Sequence, residues 1–463
     1  MPNAYDYATQ HADRFKDQLI ELLRVPSIST LDAHADDVRA AADWIIADMQ
    51  RIGLENVRKI EHDTYLPLVY GEYNGAGPDA ATVLVYCHYD VQPAEMADGW
   101  TSDPFTPVER DGKVYARGAL DSKVHVIAQL KAIESMLAAE GGLPVNVKVL
   151  FEGEEESGSE HIFGFVPENL DLLAADTVVV SDGSMPDPAQ PILVYGLRGL
   201  VTMRLTVTGP QRDLHSGHYG GNVHNPIQAL AEIIAQLHDA DGHVTVPGFY
   251  DDVRPLSESE RALLAGVEPW VKAEWQSLAN APQIWGEPDY SMSERMGARP
   301  TLEINGIGGG FYGDGFKTVL PHRAGANISC RLVPDQNPAK ILAALDAYIQ
   351  HLTPPTVTAT LTETEAGAPG ILIDRESAPV QAASRAYEAA WEVKPIFSRE
   401  GGSVPIVAAF QQQMQVPVVL MPFGYKGGGA HGPDEYVPVD LLHKGISAAM
   451  TFYREYAALA QQA

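Results

Sequence analysis

The sequence predicts an α/β protein: a catalytic-type domain with a mostly parallel central sheet flanked by helices, carrying an inserted α+β domain. Three observations lead there. Short, wholly apolar runs alternate with stretches of helical period in the first 190 residues, the mark of strands buried on both faces. From about Leu193 the pattern changes to in-and-out alternation, as in half-solvated antiparallel strands. After roughly Gly367 the first pattern returns. A chain that leaves a sheet and rejoins it places residues 1–193 and 367–463 in one domain and 194–366 in an insertion.

The elements follow in order. Phe15, Leu19, Leu22 and Leu23 share one helical face, stopped by Pro26; Val38, Ala42, Ile45, Met49 and Ile52 define a second helix, with Gly53 as its C-cap. Buried strands are expected over Thr82–Cys87, Val145–Phe151 and Thr177–Ser181. A helix begins near Ser122, with Ile127, Leu130, Ile133 and Leu137 on one face. In the insertion, Val201, Arg204–Thr208 and Ala326–Val333 read as strands, and Pro226–His238 and Ala339–His351 as helices. A helix near Ala378–Trp391 and a buried strand, Val416–Met421, complete the first domain.

Composition narrows the function classes. The chain has 463 residues, 45% of them hydrophobic and 20% charged, with 32 Lys+Arg against 61 Asp+Glu and a net charge of −29. Such a surface repels phosphate backbones and anionic lipid, so neither nucleic acid nor membrane is an expected partner. Two cysteines, Cys87 and Cys330, rule out a disulfide framework and a thiolate metal site by count. The opening MPNAYDYATQHADRF has no basic stretch before an apolar core, which argues against a signal peptide and for a cytoplasmic address.

The chemistry lies where apolar strands run into polar residues. TVLVYC leads into His88-Tyr89-Asp90, VKVLF into Glu152-Gly153-Glu154-Glu155-Glu156, and TVVVS into Asp182. Ligands of open α/β sheets bind at the carboxyl ends of strands, so one rim receives all three. Asp121, in a turn before a helix, and His431, in the loop GYKGGGAHGPDE, join it. Each signal is weak alone: one histidine after a strand is more often structural, and an acidic run more often a solvated loop. Together, three carboxylates and two histidines require a cation, and imidazole with carboxylate suits Zn, Mn or Co. Asp121, Asp182 and Glu156 carry −3; two divalent ions and one shared hydroxide bring the set to neutrality, the arrangement of a two-metal hydrolase.

These stretches also carry a family resemblance. HYDVQP (His88–Pro93), RGALDSK (Arg117–Lys123), EGEEESGS (Glu152–Ser159), SDG (Ser181–Gly183), DLHSG (Asp213–Gly217), TVLPHR and SCRLVP (within Thr318–Pro334), EGGSVPI (Glu400–Ile406) and GGGAHGPDE (Gly427–Glu435) resemble the M20 metallopeptidases. The likeness is strongest to their dipeptidase branch, which includes carnosinase-type and cytosolic nonspecific dipeptidases. The resemblance implies two divalent metals per subunit, Zn first with Mn or Co as alternatives. His88, Asp121 and Asp182 would hold one; Asp121, Glu156 and His431 the other. It implies Glu155 as general base, Asp90 as the carboxylate orienting His88, and a homodimer formed through the inserted domain. There His215 would reach the partner's site and steady the oxyanion, while Arg331 would take the substrate's terminal carboxylate, with Thr318 and Ser403 as further contacts. Glu154 is expected to be solvent-facing or structural, and His218 and His224 structural.

The expected substrate is a dipeptide or similar small amide. The alternative on the same scaffold is an N-acyl-amino-acid deacylase or carbamoylase; a more remote one is a binding protein on a decayed hydrolase. Two departures stand out. Relatives usually have Asp-Asp or Asp-Asn, then Lys-Gly, where this chain has Asp121-Ser122-Lys123-Val124. Carnosinase-like members tend to carry a histidine and a lysine near Glu365–Pro369, absent here, which argues against a carnosinase-type preference.

Overall fold

The structure, a computed structural model, describes residues 3–461. The chain divides into two compact units. The first runs to Tyr195 and resumes over Ile373–Phe397 and from Ala409 onward; the second comprises Gly196–Leu372 and Ser398–Ala408. The short segment Ser398–Ala408 thus groups with the insertion, although its sequence neighbours on both sides belong to the first unit.

In chain order the strands that matter are β1 (Glu55–Ile60), β2 (Leu68–Tyr73), β3 (Thr82–His88), β4 (Asn146–Glu152), β5 (Thr177–Val180), β6 (Gly199–Thr208), β7 (Thr301–Gly309), β8 (Arg323–Leu332), β9 (Thr358–Ala366) and β10 (Val418–Leu420). The first unit holds a sheet of order β1-β2-β4-β3-β5-β10. Its four strands β4, β3, β5 and β10 are parallel, while β2 joins β4 and β1 joins β2 antiparallel. Val83, Leu84, Val85, Val147, Val149, Val178 and Val179 are all buried, because helices cover both faces of the parallel strands. All the parallel strands therefore end on one rim.

The helix Lys123–Glu140 departs from the expected single apolar face. It is buried on nearly every side, and His125, Gln129, Lys131 and Glu134 are buried along with Ile127 and Leu130. Its polar side chains are paired: the Lys131 ammonium lies 2.6 Å from Asp48, and Glu134 accepts from Arg51 and lies 2.7 Å from Arg14. Gly53 ends the helix Ala35–Ile52 with φ +93°, as its position after the last apolar residue predicts. An additional short helix, Ala4–Gln10, precedes the two expected at the N-terminus.

The second unit is built on an antiparallel sheet of order β7-β8-β6-β9. Val201, Met203, Leu205 and Val207 of β6 and Ala326, Ile328 and Cys330 of β8 pack on Leu230, Ile233, Ile341 and Leu345 of the helices Pro226–Ile234 and Pro338–Leu352. The alternate residues, Thr202, Arg204 and Thr206 with Asn327, Ser329 and Arg331, lie on the other face. Among the described residues, no helix is long and apolar enough to cross a membrane.

Candidate metal centre

The rim of the first unit gathers the five residues. His88 closes β3, Asp182 follows β5, and Asp121 sits in the turn before Lys123–Glu140, where the Asp121–Ser122 peptide is cis. Glu155 and Glu156 lie in a single 3₁₀ turn, Glu155–Ser157, separated from the end of β4 by Gly153 and Glu154. His431 comes from the glycine-rich loop after β10, with φ +61°. Candidate ligand atoms of His88, Asp121 and Asp182 lie within 4.8 Å of one another, as do those of Asp121, Glu156 and His431. Asp121 belongs to both triads.

Buried groups fix each side chain. His88 Nδ1 lies 3.2 Å from the Asp90 carbonyl oxygen and 3.3 Å from Asp90 Oδ1, so this nitrogen carries the proton. Nε2 is thereby aimed at Asp121 Oδ1, 3.0 Å away, and Asp182 Oδ1, 3.6 Å away. The Asp90 carboxylate also accepts from the backbone N–H of Glu155 at 3.2 Å and of Glu156 at 3.0 Å. One fully buried carboxylate thus sets both the imidazole and the turn that presents two glutamates. Gln92 Nε2 donates to Glu156 Oε2 at 2.8 Å. His431 Nε2 is 3.1 Å from Asp121 Oδ2 and 3.2 Å from Glu156 Oε1.

The electrostatics of this set call for positive charge. Burial opposes charging His88, yet Asp121, Asp182 and Asp90 outweigh it and hold its pKa well above the usual range. The carboxylates of Asp121 and Glu156 beside it push His431 up to about 10. Burial opposes ionisation of Asp121 as well, and the two histidines still hold it well below the ordinary carboxylate range. Burial above all, with repulsion from Asp182, Asp90 and Glu156 against the pull of His88, pushes Glu155 up to about 8. Glu156 Oε1 is buried and, despite its closeness to His431, receives no well-directed hydrogen bond. Imidazole nitrogens and carboxylate oxygens that converge without thiolate, with an unsatisfied buried oxygen among them, fit divalent metal cations.

Glu154 is turned away from this cluster and is not solvent-facing. It is buried, its Oε1 accepts from Leu66 N at 2.9 Å and its Oε2 from His161 N at 3.3 Å, which ties the loop before β2 to the helix Glu160–Glu168. Its role is structural.

The other predicted residues lie in the second unit, in two groups. His215 pairs with Val319 in a two-stranded ribbon, and Ser216 N donates to the Thr318 carbonyl oxygen, so His215 and Thr318 are neighbours. His215 is exposed rather than buried, with Nδ1 accepting from Gly217 N. Arg331 Nη1 donates to Ser403 Oγ at 3.0 Å, and Ser403 Oγ donates to the Arg198 carbonyl oxygen at 2.6 Å. The His218 ring lies tilted against that of His215, their centroids 4.6 Å apart, and His224 lies 2.7 Å from Thr356 Oγ1. Sequence reasoning assigned no role to Gln92, Arg198 or Glu435, although all are polar residues in or beside glycine- and proline-rich turns.

Comparison with known proteins finds relatives along most of the chain. The family described as peptidase family M20/M25/M40 matches residues 84–455. The chain is 31% identical to the Cys-Gly metallodipeptidase dug1 of Schizosaccharomyces pombe, over 98% of each chain. It is 32% identical to the human Beta-Ala-His dipeptidase, over 85% of this chain and 78% of that one. Among solved structures, the M20 family metallo-carboxypeptidase Sso-CP2 of Sulfolobus solfataricus superposes with a TM-score of 0.82 at 30% identity, over 96% of this chain and 99% of that one.

Proposed function

The chain belongs to the M20/M25/M40 peptidase family and is a peptidase hydrolase, and from that premise we propose that it cleaves the amide bond of dipeptides bearing a free C-terminal carboxylate, using two divalent metal ions. The carrying observation is the pair of triads that share Asp121, with Glu155 in the turn that presents Glu156. His88, Asp121 and Asp182 would hold one ion and Asp121, Glu156 and His431 the other, with Zn favoured and Mn or Co as alternatives. Such ions, when bound, supply Lewis acidity that acidifies water and polarises a carbonyl.

The residues divide the remaining work. Glu155 takes the proton of the attacking water on its carboxylate and returns it to the departing amine; its place in the turn that presents Glu156 sets it beside the reacting water. Asp90 keeps His88 and the Glu155 turn in place. Arg331 offers a guanidinium fork to the substrate's carboxylate, with Ser403 bonded to it and Thr318 as a further contact. His215, exposed on its ribbon, steadies the oxyanion of the partner subunit's site in a homodimer formed through the insertion. The exposed Tyr219, Ile307, Phe311, Tyr312 and Phe316 of the second unit support an interface there. Two free, buried thiols suit a cytoplasmic address.

A turnover panel tests the proposal: dipeptides, the same dipeptides amidated at the C-terminus, N-acetyl amino acids and tripeptides, each with Zn, Mn or Co. Free dipeptides should be cleaved fastest. Faster turnover of N-acetyl amino acids would instead support a deacylase. Equal cleavage of tripeptides would support a carboxypeptidase, the reading favoured by the likeness to Sso-CP2.

A further inference from the structure

We propose that Glu435 is a positioning residue that locks the Asp121 turn to the His431 loop, and that it thereby sustains the second metal position selectively; this rests on the two-metal reading above. Glu435 lies four residues after His431 and is fully buried. Its Oε2 accepts from Arg117 Nη1 at 2.6 Å and Gly118 N at 3.0 Å; its Oε1 accepts from Leu120 N at 2.8 Å and Asp121 N at 3.1 Å. All four donors belong to the single turn that presents Asp121. The Glu435 carbonyl oxygen also accepts from Ala116 N at 3.0 Å. One carboxylate therefore joins segments more than 300 residues apart in sequence, each bearing a metal-ligand candidate.

Such a clamp is needed because neither ligand sits on a strand. His88 ends β3 and Asp182 stands two residues past the end of β5, so the sheet itself holds them closely. His431 stands in a loop with its backbone at φ +61°, a conformation that a non-glycine residue keeps only when its surroundings impose it. The loop is anchored after His431 at two points. Asp434 Oδ1 accepts from Thr101 N and Oγ1, both at 2.9 Å, and Glu435 holds the Asp121 turn. Of the residues at the second position, Asp121 and His431 both depend on Glu435; at the first, only Asp121 does. Glutamine in its place leaves one acceptor oxygen and turns an NH₂ donor toward backbone N–H groups. Its removal is thus felt unequally by the two ions.

The alternative is a purely structural role, neutralising the buried Arg117. The two readings separate on metal binding. Wild type, Glu435→Gln and Glu435→Asp are stripped with chelator, checked for fold by circular dichroism, and titrated with Zn²⁺ or Mn²⁺ against a chromophoric chelator, with the metal-free melting temperature measured alongside. Wild type should bind two ions. Glu435→Gln should keep one at near wild-type affinity and lose roughly ten- to a hundredfold at the other. Glu435→Asp should fall between, and it carries the test if the glutamine variant does not fold. A folded variant that binds both ions as wild type does, or weakens both equally while its metal-free melting temperature drops, overturns the proposal. Fewer than two ions on wild type would instead sink the two-metal reading itself.

Discussion

Replacing Asp90 with asparagine is expected to weaken both metal affinity and turnover while leaving the fold intact. The Asp90 carboxylate faces three donors: His88 Nδ1, Glu155 N and Glu156 N. An asparagine side chain has one acceptor oxygen, and its NH₂ must point at a donor whichever way the amide is turned. If the oxygen stays near His88 and Glu155, Glu156 N loses its partner; the reverse orientation loses His88 and Glu155 N. One buried N–H left without an acceptor costs about 1–3 kcal/mol, or roughly five- to 150-fold in an equilibrium constant. That cost falls on the turn presenting Glu155 and Glu156, so kcat/KM and affinity for the added metal should each drop by roughly ten- to a hundredfold. The assay pairs chelator-competition titration with steady-state dipeptide turnover at saturating metal, and the metal-free melting curve serves as control. Metal affinity and kcat/KM both within about twofold of wild type would show that Asp90 does not organise the site, and the reasoning from its three bonds would fail.

Three further predictions follow from other parts of the molecule. Glu155→Gln should lower kcat by about 10²–10⁴ with metal content unchanged, since the amide cannot take a proton; near-normal turnover would remove Glu155 from the mechanism. Arg331→Ala should raise KM for free dipeptides yet barely alter the slow turnover of their amidated forms, and an equal loss on both would deny it the carboxylate. Away from the rim, burial raises the Glu134 pKa, but Arg51, Lys131 and Arg14 outweigh it and hold the carboxyl at about 2. A folded-state value below the unfolded one contributes stability that is present above about pH 4.5 and lost as pH falls toward 2, a contribution of roughly 3 kcal/mol at most. Urea titrations of the chelated protein across that window should show a shallower acid slope in Glu134→Gln, and an unchanged slope would refute the assignment.

How much of this was legible in the sequence depended on whether the signal was local. The parallel strands of the first unit are runs such as Thr82–Cys87 that end abruptly in polar residues, so both the strands and the rim could be read directly. In the insertion, β6 and β8 lie in the middle of their sheet and alternate cleanly. β7 and β9 are edge strands, rich in glycine or in Thr and Glu and exposed over much of their length, and their sequences lack a strand's hydrophobic period. The helix Lys123–Glu140 misled for the opposite reason. Its Lys131 and Glu134 look like a solvent face, and only Asp48, Arg51 and Arg14, brought from other helices, offset the cost of burying them.

The same distinction separates the residues that bind from those that hold. A ligand candidate announces itself by type and place, as a histidine or carboxylate where a strand gives out. A holder is defined by what it faces, and its partners lie elsewhere in the chain. Glu154, Glu155 and Glu156 are chemically identical neighbours, and no local rule ranks them. Three-dimensional contacts do: Asp90 takes the N–H groups of Glu155 and Glu156, while the Glu154 carboxylate is committed to Leu66 and His161. Glu435 is the same kind of case, because a glutamate at the end of a glycine-rich loop reads as solvent-exposed until the Arg117–Asp121 turn folds onto it. Since each holder takes several backbone N–H groups at once, replacing one should disturb geometry over a whole turn, whereas replacing a ligand removes a single donor atom. Substitutions at Asp90 should therefore spread their effects over ligands of both ions, those at Glu435 over Asp121 and His431 and so chiefly over the second ion, and those at His88 or His431 should remove a single donor from one ion.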